Sequence, residues 1–97
     1  ARLKIADLLL HAKNPDVRSP DQAIRWLRPF IDAPPSPSAL VAWKFLAEAH
    51  ATKGEFDRAI EFEHRRLEAL DDPATPESKE TLRRISFYER GQFPGTR

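Results

Sequence analysis

Apolar residues recur at helical spacing along nearly the whole chain, and no segment alternates strictly in the manner of a strand. Over residues 2–13, Ile5, Leu8, Leu9 and Ala12 gather on one face of a helix turning ~100° per residue. Leu3, Ala6 and Leu10 fall on a second face. A surface helix ordinarily buries a single stripe, so the second one predicts a further neighbour. Asn14-Pro15-Asp16-Val17-Arg18 reads as a turn, because the residue before a proline is pushed out of the helical region. Ser19-Pro20-Asp21-Gln22 then has the chemistry of a helix start: a capping serine, a first-turn proline and a glutamine placed to close a capping box. Ala23, Ile24, Leu27, Phe30 and Ile31 line the helix that follows. Pro29 lies inside it, and an interior proline costs ~3 kcal/mol, which predicts a kink or an early end.

Ala33-Pro34-Pro35-Ser36-Pro37-Ser38 is a stiff connector of the length that joins packed helices. Residues 38–53 form the next helix, with Trp43, Leu46, Ala47 and His50 on one face and Gly54 as its left-handed cap. Residues 55–70 form another, striped by Phe56, Ala59, Ile60, Leu67 and Leu70 and ended by Asp71-Asp72-Pro73-Ala74. Thr75-Pro76-Glu77 caps and charges the start of a last helix, in which Leu82, Ile85 and Tyr88 are expected to face inward. Gly91 closes that helix, and residues 92–97 form a tail for which Phe93 is an anchor. The expected fold class is all-α.

The hairpin over about residues 39–72 matches a spaced pattern: Trp43, Leu46, Ala47 and His50, then Gly54, Phe56, Ala59, Leu67 and Pro73. In this order and spacing the residues resemble the tetratricopeptide repeat. Each has a physical role: Ala47 and Ala59 are small where helices approach, and Gly54 takes positive φ where the chain reverses. Trp43, Leu46 and Phe56 fill the gap between the helices, each buried Leu or Phe contributing ~1.5–3 kcal/mol. His50 stands where the family has tyrosine, Glu63 where an aromatic is common, and Arg66 where a small residue is typical. Glu63 falls within the inward stripe, so it must either snorkel outward or find a hydrogen-bonding partner.

Aligning Ala6 with Ala47 and Ala23 with Ala59 makes residues 1–33 a degenerate repeat with a lengthened turn between Lys13 and Ser19. Residues 38–72 are then the regular repeat and residues 75–91 a capping helix: a helical-hairpin array, or α-solenoid. The layout looks like the C-terminal repeat module of large bacterial multidomain tetratricopeptide proteins. Two repeats fall short of the three or so that usually stabilise such a stack. With no initiator Met, the chain is expected to be part of something longer.

Charge narrows the function classes. A formal net charge of +1 leaves no basic footprint for nucleic acid or an anionic membrane. Arg65, Arg66, Arg83 and Arg84 alternate with Glu61, Glu63, Glu68, Glu77 and Glu80, which suits paired helix faces better than a phosphate-binding patch. No apolar run approaches the ~20 residues that span a bilayer, and the start has no secretory signal pattern. The chain has no cysteine, which removes thiolate chemistry and Cys-ligated zinc and leaves cytosol and periplasm equally open. His11, His50 and His64 sit on three helices without the i, i+4 pairing of a helical metal site, and His50 is expected to pack in the core. Neither a nucleophile motif nor a glycine-rich phosphate loop is present, so catalysis, cofactor and metal are not expected.

The resemblance implies that the first helices of successive repeats line a concave groove for a peptide or protein partner. Carried over by position, Leu3, Asp7 and Leu10 line it from the first unit, and Val41, Lys44, Glu48 and Ala51 from the second. Leu3 and Leu10 could equally meet a neighbouring repeat. Lys44 is expected to pair with Glu48 one turn on, which disfavours acidic C-terminal tails. Arg18 is a candidate clamp in the long turn, with Asp16 and Asp21 as local alternatives for its charge. The expected function is a non-catalytic protein-interaction scaffold. The alternative is an architectural or self-associating segment, with a homo-oligomer as one form.

Overall fold

The computed structural model describes residues 2–11 and 19–92. Among them are five α-helices and no strand: α1 (Arg2–His11), α2 (Pro20–Leu27), α3 (Pro37–Thr52), α4 (Phe56–Leu70) and α5 (Pro76–Glu89). Each helix packs on the next, and α1 also packs on α3. The termini of the helices follow local chemistry. Ser19, Ser36 and Thr75 each accept a hydrogen bond from the backbone three residues on, and a proline stands in the first turn of each following helix. Pro29 ends α2 at Leu27, and Arg28–Phe30 tighten into a 3-10 turn held by the Trp43 indole, whose Nε1 donates to Phe30 O at 2.8 Å.

Gly54 (φ 82°) and Gly91 (φ 67°) close α3 and α5 in the left-handed region. At Gly54 the turn is complete: Gly54 N donates to Ala51 O at 2.9 Å and Glu55 N to His50 O at 2.8 Å. His50 brackets the same turn with its ring, Nδ1 lying 2.7 Å from Glu55 Oε1. His50 thus supplies a flat buried ring, stacked on Phe62 at 5.7 Å, together with a polar tie. Asp71 closes α4 with φ 65°, a left-handed residue that is not glycine and that the sequence did not mark.

The core runs through α1 to α4 as Ala6, Ala23, Leu27, Trp43, Leu46, Ala47 and Ala59, with Tyr88 reaching in from α5. Ala47 and Ala59 are both fully buried. Two expectations about faces are corrected. In α1, Leu3, Ala6, Leu9 and Leu10 are the residues packed on the core, whereas Leu8 is 61% exposed. The stripe expected to need an outside neighbour is therefore the one that α2 and α3 cover. In α5, Ile85 and Tyr88 turn inward as expected, but Leu82 is 46% exposed because Ser78, Thr81 and Arg84 occupy the buried side of that helix. The Arg18 and Phe93 expectations fall outside the described residues.

Candidate functional site

Helices α1 and α3, the first helices of the two expected hairpins, and α5, the expected capping helix, are joined by a line of charged side chains. On α1, Asp7 and His11 are one turn apart, and Asp7 Oδ1 lies 2.6 Å from His11 Nδ1. The other ring nitrogen, His11 Nε2, lies 2.6 Å from Glu48 Oε2 on α3. Glu48 in turn accepts from Arg84 Nη2 of α5 at 3.2 Å through its second oxygen. A neutral imidazole has one N–H, so two carboxylates at this range require the imidazolium, which donates to both. Partial burial works against that charge, but the hydrogen bond to Asp7 and the Glu48 carboxylate outweigh it and raise the His11 pKa above its usual 6.5.

The line continues inward. Arg84 Nε donates to Glu63 Oε2 at 2.6 Å, and Arg84 Nη2 donates to Tyr88 OH at 3.0 Å. Arg66 Nη1 donates to Glu63 Oε1 at 3.2 Å and to Thr81 Oγ1 at 3.3 Å. Glu63 is fully buried, so of the two outcomes open to it the hydrogen-bonded one holds. Burial pushes its carboxyl upward, and the guanidinium charges of Arg84 and Arg66 pull it back without cancelling the rise. The same burial disfavours the Arg84 cation, and the facing Glu63 carboxylate restores it. Burial also raises the Tyr88 hydroxyl, which keeps it neutral as a partner for Arg84. The buried pair is thus a costly arrangement held by mutual need.

Among the expected groove residues, Asp7 and Glu48 are brought together through His11. Val41 is 40% exposed on the same helix as Glu48. Lys44 is half-buried and has no ion pair among the described residues; the expected Lys44–Glu48 pair is replaced, because His11 and Arg84 reach Glu48 instead. Leu3 and Leu10 lean on the chain's own core. Ala51 is only 1% exposed, so it lies beneath the surface rather than on it.

His11 and Arg84 are the residues that the positional carry-over passed by. The Asp7–His11 spacing of one helical turn was a signal for the first. A lone Glu63 inside an apolar stripe, which demands a buried cation, was a signal for the second. The four arginines do not form one patch. Arg66 and Arg84 turn into the helix interfaces, Arg65 sits over the Trp43 ring at 5.4 Å, and Arg83 pairs with Glu80 at 3.7 Å. Among the described residues no group of His, Asp and Glu is arranged to hold a metal ion, and no helix is long and apolar enough to cross a membrane. No family model, curated protein or solved structure matches the chain.

Proposed function

We propose that this chain is a non-catalytic interaction scaffold of stacked helical hairpins, taking a peptide or protein segment in a groove along α1, α3 and α5. The observation that carries this reading is the His11–Glu48–Arg84 line, which ties those three helices side by side through polar contacts of 2.6 and 3.2 Å. Packing of each helix on its successor, together with α1 on α3, supports the stacked-hairpin arrangement. Small buried side chains at Ala47 and Ala59 support it as well. Exposed Val41 and Lys44, which has no ion pair among the described residues, are the side chains best placed to meet a ligand, with Asp7 exposed on α1.

Panning of a random peptide display library, followed by amide shift mapping of the selected peptide, tests this reading. The expected shifts cluster on Asp7, Val41, Lys44 and Glu48, and Val41→Asp with Lys44→Glu removes binding while the helical circular dichroism stays unchanged. Peptides that select equally well against that double variant would refute it. The alternative reading, a self-associating segment, draws on a separate observation: large apolar side chains stand exposed at Trp26 and Leu82, away from this line.

A further inference from the structure

At the end of the bundle formed by α4 and α5, Leu67, Pro73 and Leu82 line a cleft of about 330 Å³, with Glu68 and Asp71 at its rim. Its rim is acidic. The last turn of α4 has no basic residue, and Glu68, Asp71 and Asp72 all stand at that end. A helix C-terminus is itself partially negative, so acids there repel the backbone as well as one another. Neither Glu68 nor Asp71 has an ion-pair partner among the described residues. An apolar cleft with such a rim suits a bulky apolar side chain that carries a cation beside it.

The other end of the same chain presents that combination. Trp26 of α2 is 39% exposed, and the Arg2 guanidinium of α1 lies 5.6 Å from the centre of its ring. Arg2 Nη1 also donates to Trp26 O at 3.3 Å, which fixes the cation beside the indole. No carboxylate pairs with Arg2 among the described residues, and exposed Arg25 adjoins Trp26 in sequence. Helix α3 stands between the two ends, packed against α1 and α2 on one side and α4 on the other.

We infer that a second copy of this chain seats Trp26 and Arg2 in the cleft between Leu67 and Leu82, head to tail. The two surfaces differ, so every copy offers one of each and the contact is heterologous, extending beyond a dimer unless the rotation closes a ring. An interface centred on one indole falls below the ~1,000 Å² of a stable complex, so the association is weak. Nothing in it depends on a peptide in the α1–α3–α5 groove.

Sedimentation equilibrium of the full chain from ~10 μM to ~1 mM tests the inference, the weak regime expected for so small a contact. The expected result is a weight-average mass that climbs from the 11.1 kDa monomer past twice that value, and that falls back as salt is raised. Two charge reversals, Arg2→Glu in one protein and Glu68→Lys/Asp71→Lys in another, each give a monomer alone. Mixed in equal amounts they associate again, because the intact knob of one meets the intact cleft of the other and the two altered surfaces suit each other as well. Trp26→Ser, at an exposed position, is monomeric with unchanged circular dichroism and serves if a reversal variant misfolds. A monomer at every wild-type concentration would overturn the inference and leave the cleft to a different protein. Variants that associate like wild type, or a mixture no more associated than its components, would overturn it too.

Discussion

Arg84 Nε stands 2.6 Å from Glu63 Oε2, with both side chains almost wholly removed from water, so each is the other's nearest opposite charge, with Arg66 and Glu48 as the second partners of Glu63 and Arg84. Removing one partner leaves the second buried and uncompensated, which costs ~3–5 kcal/mol, whereas replacing both with apolar groups of similar volume is far milder. Glu63→Leu is therefore expected to lower stability by ~3–5 kcal/mol in chemical denaturation. Glu63→Leu combined with Arg84→Met recovers much of that loss. A double variant no more stable than the single one would show that the pair holds the helices in register rather than merely neutralising itself.

The His11 bridge predicts a pH dependence whose sign follows from its raised pKa. A group held protonated by the fold contributes fully below its unfolded value of ~6.5, and that contribution disappears as pH climbs through the higher folded value. The melting temperature is thus expected to fall as pH is raised from about 6 to about 9, and to fall less in His11→Gln. Side-chain NMR titration checks the cause directly: the His11 midpoint lies above 6.5 in wild type and moves down in Glu48→Gln.

Gly54 separates backbone strain from crowding, because a Cβ added there meets no atom within 4 Å while φ is +82°. Substitution then costs conformational energy alone. Gly54→Ala is expected to lose ~1 kcal/mol, Gly54→Asn less, and Gly54→Val the most, since a β-branched side chain resists the left-handed region. Thermal melts of the series read that order, and a valine variant that melts like wild type would contradict the observed turn.

Asp71 offers the converse case. Its φ of 65° puts a carboxylate in the left-handed region at the negative end of α4. Asp71→Gly is expected to stabilise the fold by up to ~1 kcal/mol in denaturant titration, by relieving both. The same change removes one rim charge of the cleft, so it is expected to weaken self-association while raising stability. Opposite signs in the two measurements are the pattern to look for.

Local chemistry in the sequence determined where the helices begin and end. Ser19, Ser36 and Thr75 cap, Pro29 stops α2, and Gly54 and Gly91 end α3 and α5, each through contacts within a few residues. The all-α class followed from the same signals, since apolar spacing alone separates helix from strand. Which face of α1 is covered did not follow. Two stripes competed there, and only the placement of α2 and α3 buries Ala6 and packs Leu3 and Leu10 on the core rather than Leu8. The charged line was only half legible for the same reason. Asp7 and His11 are a helical turn apart in any helix, but Glu48, Glu63 and Arg84 are distant in sequence and meet only because three helices pack together. Local hydrogen bonding sets elements; the choice among faces and charge partners is made by what else occupies the space.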